Sequence, residues 1–284
     1  MLMFIVVADN MEKEALEELK DVGKVSFRPE NLKQALSEAD VLVVRSATKV
    51  TKELLSDAKK LKIVARAGIG LDNIDQEACM EKKIKVINTP RASTKAVAEL
   101  ALGLIILTMR NVQKAHHQMK NGIWDKKHLV GRETEGKTLG IIGYGRIGSL
   151  LAKKARAIGM TIIAHDPHAR KDETSVFVED IGDLFKQADV ISIHAPLVES
   201  TRNLINKDNI AKMKDGVFII NTARGPIIDE DALYEACKSG KIAGAALDVY
   251  CEEPYKGKLL ELDNVYFTPH LGASTKEAQK RIGK

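Results

Sequence analysis

The sequence predicts an α/β protein made of two doubly wound parallel-sheet domains. Three observations predict it. Short β-rich apolar runs alternate with amphipathic helical stretches along all 284 residues. Such alternation gives parallel sheets covered on both faces. The alternation comes as two series, separated by one long helical pattern. The second series opens on a glycine-rich turn between a strand and a helix.

In the first series the strands fall at 4–8, 24–27, 41–44, 63–65 and 85–87. Helical patterns at 11–20 and 51–60 lie between them, and Asn88-Thr89-Pro90 closes the series. A single helical pattern from about 94 to 119 follows, then a loop at 121–124. The second series has strands at 138–142, 161–164, 190–194, 217–221, 245–249 and 265–268. Six such strands make a full dinucleotide-sized sheet.

Composition bounds the function. Apolar residues are 44% and charged residues 29% of the chain, so it can bury a core and is not disordered. Aromatics are only 4%, which argues against a binder that stacks nucleic-acid bases. The net charge of +5 is mild and interspersed. It suits a small anionic substrate better than a nucleic-acid surface. Cys79, Cys237 and Cys251 stand far apart, without a CxxC pair, which points to a reducing, cytoplasmic setting. The run at 2–8 lacks a basic start and reads as a strand rather than a signal peptide. The longest apolar stretch, 100–109, is about half a membrane span and reads as a buried helix, so no membrane is expected.

Gly143, Gly145 and Gly148 form G-x-G-x-x-G after a strand and before a helix. The first permits the tight turn, the second lets backbone approach a pyrophosphate, and the third allows helix to pack on strand. The helix start then offers N–H groups to phosphate. Asp166 follows the next strand, 18 positions after Gly148. A carboxylate there accepts from both ribose hydroxyls and repels a 2′-phosphate, so NAD is favoured over NADP.

Three later strand ends carry reactive groups. Arg224 follows the strand at 217–221, where a guanidinium can grip a carboxylate with two parallel bonds. Asp248 lies at the end of the next strand, and Glu253 follows it. His270 follows the last, and imidazole is the usual group for moving a hydroxyl proton near neutral pH. A carboxylate on its second nitrogen would hold the ring. Each of these residues alone also reads as an ordinary loop residue; their placement after successive strands of one sheet gives them a joint meaning. His116 and His117 read as structural, His128 has no assigned role, and no spacing suggests a metal site.

On these motifs the sequence resembles the D-isomer-specific 2-hydroxyacid dehydrogenases along nearly its whole length. The matching strings are VRSATKVT at 44–51, RAGIGLDN at 66–73, NTP at 88–90, the glycine motif, NTARG at 221–225, Glu253-Pro254 and PHLGAST at 269–275. The first two resemble the branch whose substrate carries a phosphate as well as a carboxylate. The resemblance implies a Rossmann NAD-binding domain at 94–274, inserted after a flavodoxin-like substrate domain at 1–93 plus 275–284. It implies a catalytic set of Arg224, Glu253 and His270. It implies NAD contacts from Gly143, Gly145, Arg146, Ile147 and Asp166, with His194, Ala195, Pro196, Thr222, Ala223 and Arg224 lining the nicotinamide half. Asp248 would take the carboxamide, and Ile69, His270, Gly272 and Ala273 would complete the pocket. Arg45, Ser46, Arg66, Ala67, Gly68, Gly70 and Arg224 would bind a small anionic hydroxy or keto acid.

Other readings are a reductase of glyoxylate, hydroxypyruvate or D-lactate, and an NADH-sensing scaffold. The resemblance also implies a homodimer through the long helix and the loop holding Trp124 and Lys126, although Trp124 reads equally as a core plug. Two departures stand out: no helix returning to the first domain is expected after His270, and no C-terminal regulatory domain.

Overall fold

The computed structural model describes residues 2–170 and 172–283. The chain divides into two compact units, one of the residues up to 96 with those from 273 on, the other of 97–272.

The first unit comprises β1 (Met3–Val7), α1 (Lys13–Val22), β2 (Gly23–Phe27), α2 (Leu32–Leu36), β3 (Val41–Val44), β4 (Ile63–Arg66), α3 (Gln76–Glu81) and β5 (Lys85–Asn88). Its parallel sheet runs in the order β2-β1-β3-β4-β5. The strand period of two divides the apolar residues between faces. Val6, Leu42, Val44 and Val64 meet Leu36, Leu55 and Cys79 on one side. Ile5, Val7 and Val43 meet Leu16 and Leu19 of α1 on the other. Burial on both faces is why these strands read as continuous apolar runs.

The expected helix at 51–60 is instead a run of turns. Leu55 N–H donates to the Thr51 carbonyl in helical fashion, but the bonds after it, Ser56 to Glu53 and Ala58 to Leu55, are shorter-range. Leu55, Ala58 and Leu61 still enter the core. The apolar spacing was set by burial rather than by a regular helix.

The second unit contains α4 (Thr94–Met109, its first residues at the joint), α5 (Val112–Lys120), β6 (Thr138–Ile142), α6 (Arg146–Arg156), β7 (Thr161–His165), β8 (Val176–Phe177), α7 (Ile181–Gln187), β9 (Val190–Ile193), α8 (Lys207–Lys212), β10 (Val217–Asn221), α9 (Glu230–Ser239), β11 (Ile242–Leu247) and β12 (Val265–Phe267). The parallel order is β12-β11-β10-β9-β6-β7-β8. Among the described residues this sheet has a seventh strand beyond the six expected. β8 is a two-residue edge strand, too short to leave a periodic signal. The helical pattern at 94–119 is two helices bent by 67°. Asn111 makes the break in the left-handed conformation (φ 54°), which Asn tolerates better than most residues. Its amide donates to the Val130 carbonyl (3.3 Å). Among the described residues no single helix is long and apolar enough to cross a membrane.

After His270 the chain forms α10 (Lys276–Gly283), a helix that was not expected there, within the first unit to which 275–284 were assigned. Thr275 Oγ1 accepts from Ala278 N–H at its start (3.1 Å), and Ile282 packs with Ala67 and Ala92. Only Ala278 and Ile282 are buried in this helix. So narrow a stripe explains why it left no pattern.

Candidate active site

In the second unit the strand order reverses between β6 and β9, the place where open α/β sheets bind ligands. Gly143 ends β6 with φ 91°. A Cβ there would lie 2.5 Å from Ala195 N and 2.7 Å from the His194 carbonyl carbon, so the loops after β6 and β9 touch through this glycine. Gly145 caps α6, and a Cβ there would meet nothing within 4 Å, which leaves the helix start open to a pyrophosphate. A Cβ on Gly148 would strike the Gly143 carbonyl oxygen. The three glycines thus do three different things. Arg146 and Ile147 open α6 directly behind the turn.

Asp166 follows β7 and is half-buried. One carboxylate oxygen accepts from Tyr144 N–H inside the glycine turn (2.8 Å). The other accepts from His168 N–H (2.8 Å). Each oxygen keeps a lone pair for a hydroxyl, so the carboxylate is fixed beside the turn and still able to accept.

Two loops carry the residues expected on the nicotinamide side. After β9, His194 Nε2 lies 2.9 Å from the Ser192 hydroxyl, while its Nδ1 is buried without a partner. Burial lowers the ring's pKa from 6.5 to about 4. Ala195 is buried and Pro196 exposed. After β10, Thr222 Oγ1 is likewise buried without a partner. Orphaned polar atoms on two adjoining loops, beside an open helix start, fit a bound dinucleotide. Asn221, absent from the expected site, shapes this loop. Its amide donates to the Arg224 carbonyl (2.9 Å), and its side-chain oxygen accepts from Ala223 N–H (3.0 Å). Arg224 is half-buried, and one guanidinium nitrogen donates to the Ala223 carbonyl (2.6 Å).

His270 and Glu253 come together. The imidazole Nδ1 lies 2.9 and 3.1 Å from the two Glu253 oxygens, and each side chain is about two-fifths exposed. Nδ1–H donating to the carboxylate leaves Nε2 free to accept a proton. Two further residues hold this pair. Tyr250 N–H donates to Glu253 (3.4 Å), and its hydroxyl lies 2.9 Å from the Leu247 carbonyl and 2.8 Å from that of Thr268. Burial raises the Tyr250 phenol to about 12, so it stays a donor. Asp248 is buried. One oxygen accepts from the Thr268 hydroxyl and Leu271 N–H (2.6 Å each), the other from Gly272 N–H (2.8 Å). Desolvation raises its pKa although these bonds oppose it. Asp248 thus frames the loop that carries His270, which strand-end position alone did not reveal.

In the first unit, Arg45 and Ser46 follow β3, and Arg66 ends β4. Asp9, missed in the sequence, accepts from Arg45 N–H (2.6 Å) and from the Thr48 N–H and hydroxyl. Asn88 and Thr89 hold the loop after Arg66 through the Ile69 and Gly68 carbonyls. Ala67 and Gly68 donate their N–H groups to Val44 and Arg66. Ala273 packs with Ala67 and Ala92 and accepts from the Gln279 amide (2.6 Å).

A glycine turn open to a pyrophosphate, a carboxylate fixed beside it and a bonded imidazole–carboxylate pair on one sheet fit an NAD-dependent dehydrogenase. Residues 102–272 match the family model described as "D-isomer specific 2-hydroxyacid dehydrogenase, NAD binding domain". The chain is 54% identical to hydroxypyruvate reductase of Thermotoga maritima, covering 98% of this chain and 94% of the relative. It is 50% identical to D-3-phosphoglycerate dehydrogenase of Methanocaldococcus jannaschii over 98% of this chain. That match covers 55% of the relative, so the chain spans about half its length. Among solved structures, D-lactate dehydrogenase of Aquifex aeolicus with NAD and lactic acid matches with a TM-score of 0.88 and 32% identity, covering 99% of this chain and 92% of that one. The chain belongs to the D-isomer-specific 2-hydroxyacid dehydrogenases, and its cofactor is NAD.

Proposed function

We propose that the protein oxidises D-3-phosphoglycerate to 3-phosphohydroxypyruvate with NAD, the reaction that opens the phosphorylated route to serine. The bonded Glu253–His270 pair is the observation that carries the reading of the chemistry. Arg45 and Arg66, at the carboxyl ends of β3 and β4, support a doubly anionic substrate. Relatives named D-3-phosphoglycerate dehydrogenase at 42–50% identity support the same substrate.

NAD, when bound, would supply the hydride acceptor for C2 of the substrate. Arg224 holds the substrate carboxylate with the fork of its guanidinium. His270 Nε2 takes the C2 hydroxyl proton. Glu253, on the other ring nitrogen, fixes the tautomer and stabilises the imidazolium once it forms. In the reductive direction His270 returns the proton. Gly143, Gly145, Arg146 and Ile147 would hold the pyrophosphate, Asp166 the adenosine ribose, and the loops at His194–Pro196 and Thr222–Arg224 the nicotinamide half. The domain of 97–272 is thus the NAD-binding one and the other the substrate-binding one.

A second reading, reduction of hydroxypyruvate, is favoured by the Thermotoga maritima relative. A panel of 2-hydroxy and 2-keto acids with and without phosphate, assayed with NAD and NADH, separates the two. Phosphoglycerate should give the highest kcat/KM, and a higher value for hydroxypyruvate than for its phosphate ester would overturn the first reading.

The protein is also proposed to be a cytoplasmic homodimer. Ile106, Val112, Met119, Ile123, Trp124 and Val130 are exposed on α4, α5 and the loop after them, an apolar surface that a second copy would cover. Its three cysteines are free thiols, which suits a reducing compartment.

A further inference from the structure

The sheet of the first unit reverses its order between β1 and β3. Asn10 lies just past the carboxyl end of β1, and Arg45 follows β3, so the two flank that reversal. Arg28 lies at the carboxyl end of β2, one strand further out. Both guanidinium groups converge on Asn10. Arg28 Nη1 donates to its side-chain oxygen (3.0 Å) and Arg45 Nη1 to its backbone carbonyl (3.2 Å).

Two positive groups held on one neutral residue repel one another unless an anion joins them. The nearby carboxylate of Asp9 does not take that part, because it accepts from backbone N–H groups and the Thr48 hydroxyl instead. Among the described residues neither guanidinium is ion-paired. Arg28 is exposed and sits in the left-handed region (φ 46°), where glycine is the comfortable residue. Its N–H donates to the Val7 carbonyl (2.8 Å), which fixes the backbone there. The strain is tolerated at a position that presents a guanidinium beside Arg45.

We propose that Arg28 and Arg45, bridged by Asn10, form the subsite for the distal anionic group of the substrate, a phosphate monoester. Arg28 is then the residue that distinguishes a phosphorylated from an unphosphorylated hydroxy acid. The fork of each guanidinium matches the phosphate oxygens, and the Asn10 bridge sets the spacing of the two forks. This inference rests on the reading of a phosphorylated substrate given above.

The test compares the full-length protein with its Arg28→Gln and Arg28→Gly variants, using D-3-phosphoglycerate and D-glycerate as substrates. The expected result is a fall in kcat/KM at least tenfold larger for the phosphorylated substrate than for glycerate, expressed in KM. The Gly variant should keep or raise Tm, because its φ suits glycine, so its loss of affinity cannot come from misfolding. Equal changes for the two substrates, or none, overturn the subsite. If the wild type itself does not favour phosphorylated substrates, the substrate reading fails and the subsite is judged alone with inorganic phosphate. Competitive inhibition of hydroxypyruvate reduction that weakens at least fivefold in Arg28→Gln supports it. Inhibition that is absent or unchanged in the variant overturns it.

Discussion

Replacing His194 by Gln should flatten the acid side of the protein's stability curve. After β9 the ring's Nδ1 is buried without a partner among the described residues, and its Nε2 lies against the Ser192 hydroxyl. Burial therefore holds it neutral, with a pKa of about 4 against an ordinary 6.5. Below pH 6.5 the unfolded chain binds a proton that the native ring refuses, so the unfolded state gains. The contribution is fully present above pH 6.5 and is lost as pH falls towards 4. At roughly 1.4 kcal/mol per pH unit, the loss reaches about 2 kcal/mol at pH 5 and about 3 kcal/mol over the whole interval. Urea unfolding of wild type and His194→Gln at pH 7.5 and pH 5 measures it. The fall in stability between the two pH values should be about 2 kcal/mol smaller in the variant. NMR of the wild-type ring should show no titration between pH 8 and pH 5. A ring that titrates near 6.5, or a variant that loses as much stability as the wild type, refutes the reasoning.

Three further outcomes are expected. His270→Asn should lower turnover by about a hundredfold or more while NAD binding by calorimetry persists, because the proton acceptor is lost and the dinucleotide turn is untouched; near-normal turnover would exclude His270 as the base. Asp166→Ala should weaken NAD by about tenfold and narrow the preference over NADP, since a charge-assisted bond is worth roughly 1.5–3 kcal/mol; an unchanged ratio of NAD to NADP affinities would remove its ribose role. Asp248→Asn places an amide donor against a buried N–H of the loop after β12. It should destabilise the protein by about 1–3 kcal/mol, lower Tm by several degrees and reduce kcat. Wild-type values of both would show that Asp248 does not frame His270.

The strands and the reactive strand ends were legible because both depend on local signals. A strand buried on two faces must be an apolar run, so β3, β6 and β10 lie where the pattern puts them. Glycines that must turn or admit a phosphate are marked by their spacing. What was not legible was decided by tertiary contacts. The turns at 51–60 bury the same residues a helix would. The bend at Asn111 needs only one left-handed residue, which composition does not announce. Asn221, Tyr250 and Asp9 act through backbone partners, and no side-chain motif records a bond to a main-chain atom. Arg45, Arg66, Glu253 and His270 could be named, but the bonded Glu253–His270 contact joins loops 17 residues apart and is a product of folding.

The two sheets repeat one device that neither series of strands reveals on its own. Ala39-Asp40-Val41 enters β3, and Ala188-Asp189-Val190 enters β9. Asp40 accepts from Phe4 N–H of β1 (3.0 Å) and pairs with Lys62 before β4 (2.9 Å). Asp189 accepts from Thr138 N–H of β6 (2.8 Å) and pairs with Lys214 before β10 (2.9 Å). Burial opposes ionisation of Asp189, but the Thr138 N–H and the Lys214 ammonium outweigh it, and the pKa is lowered. In Asp40 the Phe4 N–H leads the same downward shift. At the amino end of each sheet, a carboxylate therefore locks the register of the two strands that flank the reversal. Beyond that shared frame the carboxyl ends differ. One sheet ends β3 and β4 in arginines, and the other ends its strands in a glycine turn, an aspartate and loops that carry an imidazole.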